Sequence, residues 1–361
     1  MLYVLHIITN FSALGGAEMM LSRLIKSQPD VQHHLISLMG INEELYADTL
    51  NECCSYRYLK WNGINTLIVI SELRKIIKEL NPNIVQGWMY HANVMTSLSL
   101  LGFKKKPRFF WGIHHSLAAP KEESLSTKIA LNLSRILSKH PMGVIYCANS
   151  SRIQHINFGF KQKNNIVIPN GVALDKFSIN LKIFEPCIIG FAGRYHKAKG
   201  YSYLFEVINE LKDYPIFFKI AGQGASLENS AIVEYFNKYQ LDQGKVQLLG
   251  QVTNMKEFYN SINLFLMTSI TEGFPNVLVE AMASGIPCVT TDVGDAKYIV
   301  DQYGFVASSG NIQQIKKHIL SYLNLNNNEK EKLKKDVRTR VEDNFSIEQV
   351  SQQYRDAWKN I

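Results

Sequence analysis

Two carboxylates eight positions apart, Glu272 and Glu280, bracket the run Gly-Phe-Pro-Asn-Val-Leu-Val. The apolar segment Leu264–Met267 reads as a buried strand running into a Gly/Pro loop that carries Glu272, and the residues from Asn276 read as a short helix carrying Glu280. A second strand at Ile286–Thr290 completes a βαβ unit. A helix starting at Asn276 would present the N–H groups of Asn276, Val277 and Leu278 and the positive end of its dipole, which suits a phosphate. Helical side chains lean toward the N-terminus, so the Glu280 carboxylate points to the same end. Carboxylates repel phosphate but accept hydrogen bonds from hydroxyls. The combination suits a ligand that is both phosphorylated and hydroxyl-rich, such as a nucleotide sugar. Spacing alone serves two solvated surface glutamates equally well, so other parts of the chain must decide.

Countercharge is available upstream. The strand Cys187–Ala192 ends in Gly193-Arg194, with Lys199-Gly200 just before a helix at about Tyr201–Lys212. Both cations would converge on an anion at that edge of a sheet. Near the start, Gly15 and Gly16 lie between the strand Tyr3–Thr9 and a helix at about Ala17–Lys26, where glycine lets backbone approach a ligand closely. Either His114 or His115, in a loop after the strand Arg108–Gly112, is placed to face a substrate, because ligands of open α/β sheets bind beyond the strand C-termini.

The elements that position these residues alternate strand and helix along the chain, which implies an α/β protein with parallel sheets. At 361 residues the chain fits two such domains. The irregular stretch Val172–Pro186 reads as the linker between them. Helices are expected at Ile70–Leu80, Ser124–Ser138, Ile312–Leu323, Glu329–Asp343 and Ile347–Trp358. The one at Ser124–Ser138 has Leu125, Ile129, Leu133, Ile136 and Leu137 on one side; core packing is the usual fate of such a stripe, and a membrane interface the less common one.

The five cysteines have no zinc or redox spacing and read as buried thiols. No apolar run is long enough for a membrane span, and the first residues read as a strand of a cytoplasmic protein rather than a signal peptide. The net charge of +8 is uneven: residues 1–170 hold 18 Lys and Arg against 10 Asp and Glu, so the excess lies wholly in the first half. Its densest piece is Lys104-Lys105-Lys106-Pro107-Arg108. A basic patch beside apolar residues suits an anionic membrane surface or a lipid-phosphate acceptor. No aromatic-and-basic repeat accompanies it, which argues against nucleic acid.

In their order and spacing, Gly15-Gly16-Ala17-Glu18, His114, Ile168-Pro169-Asn170-Gly171-Val172, Gly193-Arg194 with Lys199-Gly200, and the Glu272–Glu280 run resemble the retaining glycosyltransferases of family 4, of the bacterial polysaccharide and lipid-linked glycan type. The resemblance covers nearly the whole chain. It implies the GT-B fold, two Rossmann-like domains with parallel sheets facing across a cleft. Residues 1–171 would bind the acceptor, 172–345 the nucleotide sugar, and 346–361 would cross back to the N-terminal domain. Arg194 and Lys199 would then hold the diphosphate, Glu280 the ribose hydroxyls, Glu272 hydroxyls of the donor sugar, and the amides of Asn276, Val277 and Leu278 phosphate or sugar. Gly16 would reach the diphosphate and His114 the donor sugar, with His115 the weaker candidate.

The activity implied is a retaining, hexosyltransferase-type transfer to a glycan or lipid-linked acceptor, with Glu272 a positioning group and not a covalent nucleophile. Metal independence is expected, because the cations and helix dipole can stabilise a leaving diphosphate and the chain has no Asp-x-Asp triplet. No cofactor is expected beyond the donor, a UDP-sugar in preference to a GDP-sugar, and the enzyme would be cytoplasmic with peripheral contact to the membrane's inner face. Two other readings stand against this one. A non-catalytic transferase-like partner subunit would be expected to have lost some of Arg194, Lys199, Glu272 and Glu280, and a nicotinamide dehydrogenase would need the absent Gly-x-Gly-x-x-Gly.

Overall fold

The computed structural model describes residues 2–360. The chain divides into two compact units, Met1–Gly171 with Ile347–Ile361, and Val172–Ser346.

The first unit is built on a parallel sheet of seven strands. In chain order they are β1 (Leu2–Ile8), β2 (Val31–Ser37), β3 (Cys53–Tyr58), β4 (Ile84–Trp88), β5 (Arg108–Ile113), β6 (Gly143–Tyr146) and β7 (Asn165–Val167). Across the sheet the order is β3-β2-β1-β4-β5-β6-β7. The order reverses direction beside β1, so the loops after β1 and β4 open at the switch point where open α/β sheets bind ligands. The inner strands are apolar on both faces because helices cover both, and β4 is buried along its whole length. The edge strand β3 escaped sequence reading because its residues are mostly polar and exposed. The helix Tyr90–Ser99 escaped for the opposite reason: it is buried nearly all round and has no amphipathic period.

Helix Ile347–Asn360 belongs to this unit. Its Trp358 is fully buried and donates Nε1–H to Gln86 Oε1 on β4 at 3.1 Å. Gln28 Nε2 donates to the Ser351 hydroxyl at 2.9 Å, and Arg355 pairs with Asp30. The turn before β2 and strand β4 therefore grip the last helix.

The second unit has a parallel sheet of six strands. They are β8 (Cys187–Ala192), β9 (Ile216–Ala221), β10 (Val246–Gly250), β11 (Leu264–Met267), β12 (Cys288–Thr291) and β13 (Phe305–Ala307), in the order β10-β9-β8-β11-β12-β13. The central pair β8 and β11 carries the two candidate segments at adjacent strand ends.

Two expectations are corrected. The segment 172–186 is not a free linker but is fastened to the second unit. The wholly buried Lys334 donates Nζ–H to the carbonyls of Asn180 (2.8 Å) and Lys182 (3.0 Å), and Arg338 donates to that of Phe177 (2.9 Å). Burial holds the Lys334 pKa down to about 8. The apolar stripe expected to pack helix Leu125–Leu137 on the core faces outward instead: the buried side is Ala130, Leu131 and Ser134, while Leu125, Ile129, Leu133 and Ile136 are exposed.

Candidate active site

In the second unit, the chain leaves β8 through Gly193 and Arg194, makes a single 3₁₀ turn at Lys197–Lys199, and enters helix Tyr201–Leu211 through Gly200. Gly200 has φ +66°, and a Cβ there would sit 1.9 Å from the Thr268 carbonyl oxygen, so only glycine lets this turn lie against the end of β11. The two segments are also tied by hydrogen bonds. Ile270 N–H donates to the Ala198 carbonyl at 2.8 Å, and the Thr268 hydroxyl donates to that of Gly200 at 3.0 Å.

This close approach sets the central contact. Lys199 Nζ lies 2.6 Å from Glu272 Oε1, and the Ser269 hydroxyl donates to the same oxygen at 2.7 Å. Ser269 is held in turn, because its carbonyl accepts from the Thr291 hydroxyl at 2.7 Å on the next strand. Both contacts to Glu272 fall on Oε1, which leaves Oε2 to accept from a hydroxyl. Lys199 uses one of three donors on Glu272 and keeps the others for an anion. Arg194 is exposed and makes no ion pair among the described residues. The turn after β9 packs against it: a Cβ on Gly222 would come within 2.0 Å of the Gly193 carbonyl oxygen and 3.0 Å of the Arg194 nitrogen.

Helix Asn276–Ala283 begins where the sequence places it, after Pro275, whose ring makes no cap hydrogen bond. One expected donor is corrected. The Leu278 N–H is already given to the Pro275 carbonyl at 3.1 Å, because the first turn tightens, and the Leu278 side chain is fully buried. The half-buried Val277 sits at the same helix start. Glu280 is half-buried one turn in, with the Tyr259 hydroxyl 3.4 Å from its Oε2. Ser269, Thr291 and Tyr259 are supporting residues that sequence reasoning missed. Ser269 had a signal, a hydroxyl just past a strand and three residues before Glu272; Tyr259 lies on a distant helix and had none.

In the first unit, His114 follows β5. Its Nδ1 is 3.0 Å from Asn170 Oδ1, and its ring stacks on Trp88 with centroids 5.0 Å apart. Asn170 Oδ1 can only accept, so Nδ1 carries the proton and Nε2 the lone pair. Nε2 is buried without a partner. Burial lowers the His114 pKa to about 4 against the opposing Asn170 hydrogen bond, so the ring is neutral at physiological pH. His115 is committed elsewhere, 2.7 Å from Glu123 Oε1. Gly16 is the first residue of helix Gly16–Lys26, with Gly15 at the cap position. The Glu18 carboxylate folds back there, since a Cβ on Gly15 would lie 2.2 Å from its Oε2. Burial raises the Glu18 pKa.

Two parallel-sheet units, with charged residues gathered at the strand ends of the second, define a two-domain α/β class, and family models match both units. Residues 14–176 match the model described as Glycosyltransferase Family 4, and residues 186–325 the model described as Glycosyl transferases group 1. The chain belongs to the family 4 glycosyltransferases. It is 28% identical to the capsular polysaccharide biosynthesis glycosyltransferase CapM of Staphylococcus aureus over 58% of this chain and 55% of that one, so it spans about half of that relative's length. It is 24% identical to the N,N'-diacetylbacillosaminyl-diphospho-undecaprenol alpha-1,3-N-acetylgalactosaminyltransferase of Campylobacter jejuni over 71% of this chain and 73% of that one. The crystal structure of Anabaena HepE in complex with UDP superposes with a TM-score of 0.83 over 100% of both chains at 17% identity. That likeness shows the GT-B fold, two Rossmann-like domains. No helix among the described residues is long and apolar enough to cross a membrane.

Proposed function

We propose that the chain is a retaining glycosyltransferase that moves a hexosyl group from a nucleoside-diphosphate sugar to a lipid-linked or surface-glycan acceptor without a divalent metal. The observation that carries this reading is the Lys199–Glu272 contact at the paired ends of β8 and β11, in the same unit as exposed Arg194 and the start of helix Asn276–Ala283. As the glycosidic bond to the diphosphate breaks, negative charge grows on the leaving oxygen and positive charge on the sugar. Arg194, Lys199 and the helix start meet the first. Glu272 Oε2 accepts from a donor-sugar hydroxyl and Glu280 from the ribose, which positions both without covalent attack.

His114, neutral with an Nε2 lone pair, accepts a hydrogen bond from a sugar hydroxyl, and Gly16 lies at a helix start suited to backbone approach. A UDP-sugar is favoured over a GDP-sugar on the likeness to HepE, whose structure holds UDP. A lipid-diphosphate-linked acceptor is favoured on the name of the Campylobacter relative, and a capsule-type glycan on that of CapM. With its basic N-terminal half, the enzyme would act in the cytoplasm at the membrane's inner face.

UDP should raise the melting temperature, with GDP weaker and NAD without effect, and incubation with a panel of nucleotide sugars should release free UDP from one of them. Absence of both protection and turnover with every UDP- and GDP-sugar would sink the reading. Product analysis with the active donor should show the donor's own anomeric configuration. Ser269→Ala, which removes one of the two contacts on Glu272 Oε1, should lower turnover about tenfold with little change in melting temperature. Turnover unchanged by that substitution would mean Lys199 alone positions the carboxylate.

A further inference from the structure

Helix Leu125–Leu137 turns four of its large apolar residues away from the core. Leu125 is 74% exposed, Ile129 55%, Leu133 40% and Ile136 69%. At 3.6 residues per turn these four fall within an arc of about 80°. Lys128, Arg135 and Lys139 line one edge of that arc, and no acidic residue occurs between Ser124 and Lys139. Directly after the helix, His140 and Met142 share a cavity of about 180 Å³ with Lys106 and Arg108, which brings the basic run 104–108 to the helix end. Arg108 donates Nη1–H to the Lys359 carbonyl at 2.8 Å, and its Nε is buried without a partner.

An exposed apolar stripe edged by cations, with the nearest acidic residues in sequence, Glu122 and Glu123, placed before its first turn, is costly in water and calls for a cover. We propose that this face docks the N-terminal unit on an anionic phospholipid bilayer. The helix lies in the interface plane with its stripe among the acyl chains, Lys128 and Lys139 meet headgroup phosphates, and the cavity beside Arg108 accepts one such phosphate. A second copy of the chain is the poorer cover. A two-fold contact would set the same positive edge against itself with no carboxylate on the helix to neutralise it. The inference is independent of the donor-site reading.

The test is co-sedimentation of the full chain with phosphatidylglycerol-containing vesicles and with phosphatidylcholine vesicles. The wild type should bind the anionic vesicles selectively and lose binding as salt is raised. Ile129→Ser with Ile136→Ser, and separately Lys128→Gln with Lys139→Gln, should each weaken binding by about tenfold or more. All of these positions are solvent-facing or at an exposed edge, and the melting temperature and far-ultraviolet circular dichroism of each variant serve as the folding control. Equal binding to both vesicle types, or unchanged binding by both variants, would overturn the proposal. So would a dimer in analytical ultracentrifugation that the isoleucine variant dissolves.

Discussion

Lys199→Ala is expected to lower kcat/KM for sugar transfer by about 10²- to 10³-fold, the range found when a preorganised donor is removed from a developing anion. Two effects act in the same direction. The substitution removes a cation from the diphosphate end of the site. It also strips Glu272 of the partner that lies 2.6 Å from its Oε1, leaving a carboxylate held only by Ser269 beside an incoming diphosphate. The loss should appear in kcat as well as KM, because the charge on the leaving group is larger in the transition state than in the bound donor. Folding should survive, since both partners stay partly exposed and such a pair adds little stability. The measurement is steady-state kinetics with the donor identified by the panel, alongside the melting temperature. A change within threefold would show that the Lys199–Glu272 contact is structural and that Arg194 and the helix start carry the diphosphate alone.

Acid should destabilise the first unit through its buried histidines. Burial holds the pKa of His33 and His155 down to about 4 and that of His6 well below the ordinary value. The folded rings are held neutral, and most of their nitrogens have uncharged partners, with His33 Nε2 buried without one. His6 Nε2 lies 3.0 Å from His33 Nδ1, Trp88 donates to His6 Nδ1 at 3.2 Å, and the Tyr90 hydroxyl lies 2.7 Å from His155 Nε2. In the unfolded chain the same histidines take up protons near pH 6.5. Between that value and pH 4 the unfolded state binds more protons, so stability is fully present above about 6.5 and falls as pH drops through the window. The loss is of order 3 kcal/mol each for His33 and His155 by pH 4. All four tryptophans, Trp61, Trp88, Trp111 and Trp358, lie in this unit. The histidines of the second unit, His196 and His318, are exposed or half-buried. Denaturant melts followed by tryptophan fluorescence should therefore move to lower midpoints from pH 7 to pH 4.5, and a constant midpoint would contradict the coupling. Replacing His155 with Gln should flatten part of the pH dependence.

Much of the second unit was legible because its strands are short apolar runs closed by Gly or Pro. The bounds of β8 and β11 and the start of helix Asn276–Ala283 agree with the sequence reading to the residue. Less regular signals failed. The polar edge strand Cys53–Tyr58 lacks alternation, and the all-round buried helix Tyr90–Ser99 lacks a period. The candidate cations and carboxylates were all visible as residue types at strand ends. Their contact was not, because Lys199 and Glu272 are 73 positions apart and meet only through the pairing of β8 with β11.

By itself the sequence determined the two α/β units, the family, and a list of charged residues that follow the C-terminal ends of strands in the second sheet. Turn chemistry and hydrophobic patterning are local, so they can be read along the chain. Tertiary structure alone decided three further matters. It placed Ser269 and Lys199 on one oxygen of Glu272, it buried a partnerless nitrogen of His114 while tying His115 to Glu123, and it turned the stripe of helix Leu125–Leu137 outward. A periodic stripe has the same pattern whichever way it faces. Direction is set by what the opposite side fits, and here Ala130, Leu131 and Ser134 fit the core and leave the larger side chains outside.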